Sequence, residues 1–355
     1  MGGRALALTV RTLEAGDEPA YEQFLAESPN ASLYASIEFR SFLQVIVPGV
    51  PRYLVAVDRD RIVGALPLFV HEVSSAGTIF NSLPWYGSHG GCVLASNTDE
   101  AIRRALLAEY CRRITDADVL SSTLILLPSE QPMLSTYREV LRPAVEDVRI
   151  GQVTELPQAG GDLEQRLHDG FERKTRNLVR KSLRQSFDCE VRDDDEAWRF
   201  LHLTHTENLA AIGGKAKPWA HFTALRERLP RAWRRLYVAH HDGRPVAALL
   251  LLYYRATVEY ITPVVDAAYR SRQALSFLIQ RAMIDAAGDG RRFWNWGGTW
   301  TSQTTLFHFK QGFGARESNY AYLVNSRDGG RRLQALKTRL GELFPYYYVY
   351  PYDRL

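Results

Sequence analysis

Lys310 stands in a short motif whose residue types could stabilise negative charge. Residues 307–314 read Phe-His-Phe-Lys-Gln-Gly-Phe-Gly, so Gly312 and Gly314 follow the lysine closely. A fixed cation can face the oxyanion that forms while an acyl group is transferred, and glycines let the backbone approach a ligand closely. The alternative is a surface lysine before a tight turn, and these residues alone leave both interpretations open.

A second group of such residues lies in segment 163–186, whose periodicity predicts a basic helix. Leu167, Phe171 and Leu178 would form its buried stripe. A one-sided cluster of cations repels itself without an anionic partner. The helix therefore either binds the phosphates of an anionic partner or presents an ordinary solvated face. The cations of this cluster, which we call the basic face, are Arg173, Lys174, Arg176, Arg180, Lys181 and Arg184.

Two tryptophans precede a pair of glycines near the lysine motif. Trp294 and Trp296 alternate with Asn295 on a predicted strand, so both face the same side. They could stack on a nucleic-acid base, although we expect at least one of them to belong to the core. Gly297 and Gly298 follow, and they are expected to line a cleft at the strand's end, where α/β sheets tend to bind ligands.

The elements that must position these residues are duplicated along the chain. Residues 53–66 match residues 236–249 at one constant offset, and each stretch predicts a β-hairpin, the second turning at Asp242-Gly243. In the first half a helix follows, capped by Asn97, and then a strand at 122–127. The second half repeats this order, which predicts an α/β fold with mixed sheets, a hairpin preceding a parallel strand pair in each half.

The bulk composition sets broader limits. Hydrophobic residues make up 46% of the 355 residues, which indicates a folded protein of about two domains rather than a disordered chain. The longest apolar stretch, 246–254, is half the length that a membrane helix needs and predicts a buried strand. The beginning of the chain lacks a signal-peptide pattern, so we expect a cytoplasmic protein. Three distant cysteines predict neither disulfides nor a zinc site.

Three motifs together resemble the FemAB/FemX-like family. Residues 174–181, Lys-Thr-Arg-Asn-Leu-Val-Arg-Lys, resemble the family's basic helix, and residues 294–299 and 307–314 resemble its C-terminal signature. Residues 83–91, Leu-Pro-Trp-Tyr-Gly-Ser-His-Gly-Gly, resemble its acceptor loop. The segments occur in the family's order, and the resemblance covers most of the chain.

The resemblance implies an aminoacyltransferase built from two tandem GNAT-like domains, here 1–155 and 156–355. Such an enzyme moves an aminoacyl group from a charged tRNA, its co-substrate, to an amine. The resemblance further implies that Lys310, accompanied by Phe309, stabilises charge in the transition state. The donor would lie along the basic face and the Trp296-Gly297-Gly298 segment. The phosphates on the basic face would belong to the tRNA or to a nucleotide-linked acceptor. No metal and no other cofactor is expected.

The acceptor is less constrained than the donor. The resemblance implies a peptidoglycan precursor or a small natural-product amine, met by Trp85, Tyr86 and His89. The sequence departs from the family in two ways. It lacks the long coiled-coil arm of some members, and Ser88 and His89 interrupt the usual tyrosine-glycine-glycine pattern. The identity of the acceptor therefore stays open.

Two other functions compete with this interpretation. An N-acyltransferase that uses acyl-CoA or acyl-carrier protein, acting on an amino sugar or metabolite, would need backbone N–H groups at a helix start to cradle pyrophosphate. The corresponding loop, 269–275, contains no glycine, although Arg270 and Arg272 could meet an anion there. The second competitor is a non-catalytic RNA-binding module.

Overall fold

The computed structural model describes residues 8–85, 87, 89–96, 99–116, 118–300 and 302–355. The chain forms two compact units, one of residues up to Arg149 together with Asn319–Leu355, the other of Ile150–Ser318. The sequence-based division at 155/156 therefore needs a correction, because the last 37 residues do not belong to the second unit but return to the first. No described helix combines the length and apolar character that crossing a bilayer requires.

The described residues form the following strands and helices. The strands are β1 (Leu8–Thr12), β2 (Val50–Pro51), β3 (Leu54–Asp58), β4 (Arg61–Leu66), β5 (Phe69–Val73), β6 (Gly77–Asn81), β7 (Val93–Leu94), β8 (Val119–Ile125), β9 (Val145–Glu155), β10 (Asp188–Arg192), β11 (Arg234–His241), β12 (Arg244–Tyr254), β13 (Thr257–Val265), β14 (Phe293–Thr299), β15 (Arg316–Glu317) and β16 (Tyr320–Asn325). The helices are α1 (Glu18–Glu27), α2 (Ile37–Ile46), α3 (Glu100–Asp116), α4 (Leu134–Leu141), α5 (Leu163–Gly170), α6 (Arg173–Leu183), α7 (Asp195–Ala210), α8 (Trp219–Arg228), α9 (Ala274–Gly288), α10 (Thr304–Gly312), α11 (Arg331–Ala335) and α12 (Leu340–Leu343).

The first unit contains the predicted hairpin, helix and strand. β3 and β4 form the hairpin, and β6 pairs in parallel with β8. α3 buries Ile102, Leu106 and Tyr110 against this sheet, as their helical spacing predicts. β8 begins three residues before the predicted 122–127 strand, because its pairing with β6 starts at Val119. Asn97, the predicted cap of the helix, lies outside the described residues.

The second unit repeats the arrangement with longer strands. β11 and β12 join at Asp242-Gly243 as predicted, and β12 buries the apolar stretch 246–253. α9 packs against this hairpin sheet, while α7 contacts β12 and β13. β13 and β14 pair in parallel, and β14 also pairs with residues 150–155 of β9. The two-domain α/β architecture expected from the sequence repeat is confirmed.

The predicted basic helix 163–186 is two helices. α5 ends at Gly170, and Phe171 and Glu172 take extended conformations before α6 begins. Phe171 is buried in the core of the second unit, and the Glu172 N–H donates to the Gly312 carbonyl oxygen at 2.9 Å. The break therefore lets one aromatic side chain enter the core. The buried stripe uses Val179, whereas Leu178 is only half-buried.

The tyrosine-rich tail is predicted by its composition to pack on the second domain as an edge strand, and this prediction is wrong. Residues 346–350 form no strand, and they pack within the first unit. The Asn81 side chain donates to the Tyr348 carbonyl oxygen at 2.8 Å, and the Tyr348 ring lies 4.5 Å from that of Tyr322. Polar side chains on β6 and β8, namely Asn81, Ser121 and Thr123, thus bind the tail's backbone directly. The sequence of the tail alone does not reveal these contacts.

Candidate active site

Helix α10 turns Lys310 into the second unit. The side chain is buried, only 3% exposed, and its Nζ lies at the C-terminal end of β14. There Nζ donates to Thr299 Oγ1 at 2.8 Å and more weakly to the carbonyl oxygens of Gly298 and Gly297, at 3.3 and 3.4 Å. The lysine is therefore not a surface residue before a turn.

Burial lowers the pKa of Lys310 from 10.5 to about 8, because removing the ammonium from water penalises its charged form. At neutral pH the group still carries its proton. Its two long hydrogen bonds are weak compared with the bond to Thr299. The ammonium can therefore donate to a bound group instead of the two carbonyl oxygens, while it keeps its hydrogen bond to Thr299.

The end of β14 is shaped to receive this ammonium. The register between β14 and β9 shifts between Asn295 and Gly298, as in a β-bulge. Gly297 lies within the shift at φ +72°, a conformation that favours glycine. A bulge re-aims the groups of its strand, and here two consecutive carbonyl oxygens meet one ammonium.

A chain of polar side chains supports Thr299 from β9. Gln152 Oε1 accepts from Thr299 Oγ1 at 3.0 Å, while Gln152 Nε2 donates to the Phe307 carbonyl oxygen at 3.0 Å. Gln152 and Thr299 are buried, and the chain ties β9, β14 and α10 together. Neither residue is among the site residues predicted from the sequence. Thr299 closes the Trp-Asn-Trp-Gly-Gly-Thr motif and could have been noticed, whereas an isolated glutamine in a long strand gives no signal.

Both tryptophans belong to the core, which corrects the expectation that Trp296 contacts the donor. Trp294 is fully buried and Trp296 is 3% exposed. The Trp296 ring lies 4.8 Å from that of Tyr260 and 5.6 Å from that of Phe313, and its Nε1 donates to Thr154 Oγ1 at 2.9 Å. Because it is buried, Trp296 supports the site through its core contacts, and neither face of its ring is exposed for stacking on a nucleic-acid base. As predicted, both rings lie on one side of the strand.

Phe309 and the two glycines are more accessible. Phe309 is half-buried, with its ring 5.3 Å from that of Phe313. Gly297 is half-buried and Gly298 exposed. The structure thus brings Lys310, Phe309 and both glycines together at the end of β14.

The basic face stands next to the lysine-bearing helix. A Cβ added to Gly312 of α10 would lie 2.2 Å from Thr175 Oγ1 of α6, so these helices approach closely. Arg176 is half-buried and donates to the Phe171 carbonyl oxygen at 2.6 Å. The other five cations of the basic face are exposed, and within the described chain none of them forms an ion pair with a carboxylate.

The predicted acceptor residues belong to the first unit. Trp85 is buried at φ +77°, with its ring 4.9 Å from that of Phe42. His89 is also buried, and its Nδ1 lies 3.0 Å from the Leu126 carbonyl oxygen. Burial lowers the pKa of His89 to about 4, so the ring is neutral at pH 7. These two side chains hold the loop in place, and Tyr86 lies outside the described residues.

Comparison with known proteins supports the fold. Residues 170–310 match the family described as acetyltransferase (GNAT) domain. The structure is similar to that of FemX, with 12% identity over 88% of this chain and 96% of that chain, at a TM-score of 0.70. No curated protein sequence matches the chain.

Two further structures share the architecture. L-PGS from Bacillus licheniformis is 11% identical over 94% of this chain and 98% of its own, with a TM-score of 0.55. A tandem GNAT protein from the clavulanic acid biosynthesis pathway is 15% identical over 90% and 98%, with a TM-score of 0.54. The resemblance to FemX read from three motifs is therefore confirmed at the level of the fold, and the matched domain family supports acyl transfer.

Proposed function

We propose that this chain, which has the two-domain GNAT fold seen in FemX, transfers an aminoacyl group from a charged tRNA to an amine and so forms an amide bond. The observation that carries the proposal is the buried Lys310 ammonium, held at the end of β14 beside a helix whose exposed cations have no carboxylate partner among the described residues.

The protein needs to contribute little covalent chemistry to this reaction, because the ester of the charged tRNA is already activated. The amine nitrogen attacks the ester carbonyl carbon, a C–N bond forms, and the carbonyl oxygen becomes a tetrahedral oxyanion. The C–O bond to the tRNA ribose then breaks, and the amine's proton passes to the leaving hydroxyl. A preorganised cation acts where the oxyanion develops, and Lys310 has two weak hydrogen bonds that it can exchange for this oxyanion.

The basic face supports a nucleic-acid donor. Its exposed cations lie on α6, and α6 contacts α10 through Thr175 and Gly312. A tRNA whose phosphates follow α6 would have its acceptor end close to the helix that carries Lys310. Neutralising phosphates with arginine and lysine releases counterions, which makes such binding salt-dependent.

The loop before α9 gives less support to an acyl-CoA donor. The N–H groups of Arg270, Arg272 and Gln273 each donate to a carbonyl three residues earlier. These three amides of the turn before α9 are therefore occupied, and the turn has no glycine that would let its backbone approach a pyrophosphate closely. Arg272 also lies 3.0 Å from His241 Nε2.

For the acceptor we propose an amine-bearing small molecule or peptidoglycan precursor bound near loop 83–91. Trp85 and His89 are buried there, so their role would be to shape the loop around the acceptor.

Donor identity is the decisive test. The purified protein is incubated with a pool of charged tRNAs, and separately with acetyl-CoA, using amine-bearing cell extract as acceptor. We expect one tRNA species to be deacylated in an extract-dependent manner, and Lys310→Ala to slow this about a hundredfold to a thousandfold. Lys215→Ala, which changes an exposed lysine of the same unit, is the matched control.

Each other outcome selects a different function. Consumption of acetyl-CoA with every tRNA left intact would assign the chain to the CoA-dependent N-acyltransferases. Tight tRNA binding without turnover, unchanged by Lys310→Ala, would indicate an RNA-binding module that keeps the fold.

A further inference from the structure

Glu259 is a buried carboxylate at the point where the parallel strands of the second unit separate. It is 5% exposed and stands opposite Asn295, the last registered pair between β13 and β14. Beyond this pair β13 continues to Val265 and β14 to Thr299 without pairing to each other. A buried carboxylate is costly unless it is hydrogen-bonded, and Asn295 Nδ2 donates to Glu259 Oε2 at 2.7 Å.

Asn295 links Glu259 to Gly297, which lies two residues further along the same strand. Its Oδ1 accepts from the Gly297 N–H at 3.0 Å. An asparagine amide that both donates and accepts has one orientation that satisfies both partners. By accepting from the NH2 group, Glu259 therefore turns the amide oxygen toward the Gly297 N–H. This bond spans the residue at φ +72°, and the Gly297 carbonyl oxygen in turn accepts from Lys310 Nζ at 3.4 Å.

We infer that Glu259 and Asn295 are positioning residues that, through the Gly297 peptide, orient the Lys310 ammonium on its Thr299 anchor. The inference rests on the proposed function of Lys310. Glu259 anchors Asn295, Asn295 holds the peptide in its bulged conformation, and the peptide directs the carbonyl oxygens of Gly297 and Gly298 at Nζ. Neither side chain needs to touch a substrate in this role.

Conservative and non-conservative variants distinguish positioning from direct chemistry. In Glu259→Gln the new amide oxygen still accepts from Asn295, so we expect kcat to stay within about threefold of wild type. In Glu259→Ala and Asn295→Ala the connection is removed. We expect kcat to fall roughly ten- to a hundredfold, as displaced catalytic groups do, with KM for the donor unchanged.

A spectroscopic measurement tests the inference independently of any activity. The side-chain NMR signal of Lys310 at pH 7 is assigned by its absence from Lys310→Arg and then compared among variants. We expect Glu259→Gln to leave the signal in place and both alanine variants to move it. Should Glu259→Ala fail to fold by circular dichroism, Asn295→Ala carries the comparison, because Asn295 is only half-buried.

The outcomes separate the two proposals. If the wild type turns over no charged tRNA, the proposed function fails while the NMR comparison still decides the positioning role. A Lys310 signal that is identical in wild type and Asn295→Ala would overturn the inference. So would a loss of kcat in Glu259→Gln as large as in Glu259→Ala, because the charge of Glu259 rather than its hydrogen bond would then matter.

Discussion

A buried lysine costs the folded protein stability whenever its ammonium is charged. The pKa of Lys310 is lowered from 10.5 to about 8, so below pH 8 the folded and unfolded chains both hold the proton and the full penalty applies. Between about pH 8 and 10.5 the unfolded chain binds more protons, and this contribution to the free energy of unfolding rises with pH. An active site that keeps such a group sacrifices stability for function.

Lys310→Met should therefore be more stable than wild type at pH 7. A shift from 10.5 to about 8 corresponds to about 3 kcal/mol, and removing the bond to Thr299 reduces this gain by about 1 kcal/mol. Urea denaturation at pH 7, 8.5 and 9.5 measures the difference, which should shrink as the pH rises. Lys215→Met should show no such trend, and an advantage for Lys310→Met that is independent of pH would contradict the buried-charge account.

Residue chemistry was partly readable from the sequence. The motif around Lys310 indicated an oxyanion-stabilising cation, but its hydrogen bonds to Thr299 and two carbonyl oxygens depend on a register shift that no local pattern encodes. Trp296 shows a second limit of prediction from the sequence. An aromatic residue beside glycines fits a base-stacking surface and a core equally well, and only the tertiary contacts decide between them.

At the scale of elements, α6 and α10 can approach each other closely because Gly312 has no side chain. Gly312→Ala would place a Cβ 2.2 Å from Thr175 Oγ1, and such overpacking typically costs about 1–3 kcal/mol. Thr175→Ala removes the obstructing hydroxyl, so the double variant should recover most of the loss. Thermal denaturation of the four proteins forms the cycle, with Gly288→Ala of α9 as control, where a Cβ meets open space. Additive losses would show that the two helices do not meet at this point.

The basic face of α6 belongs to the same scale, because no single cation defines it. Replacing Arg173, Arg180 and Arg184 together by alanine should weaken binding of charged tRNA. It should also reduce the slope of log affinity against log salt by about 2, since each phosphate that is no longer neutralised lowers the slope by roughly 0.7–0.9. The exposed residues Arg199, Arg228 and Arg244, replaced together, give a control of equal charge. An equal change in both triple variants would mean that net charge, rather than this helix, governs binding.

For the whole molecule, the repeat at a constant offset predicted two hairpin-helix-strand halves, and the structure contains them. The domain boundary was misplaced, because the chain returns to the first unit after residue 318. Connectivity of this kind depends on strand pairing between distant segments, such as β16 with β8. Nothing in the local composition of residues 319–355 indicates which half they join.

The tail offers the last prediction, since its place in the fold was the largest error of the sequence-based account. Tyr348 binds Asp147 through its hydroxyl, its ring contacts Tyr322, and its carbonyl oxygen accepts from Asn81 and Thr123. Tyr348→Ala should destabilise the first unit by about 3 kcal/mol, because a large packed ring is removed. Hydrogen exchange should rise in β6, β8 and β16. Peptides of residues 150–318 serve as the internal reference, and increased exchange confined to them would return the tail to the second unit.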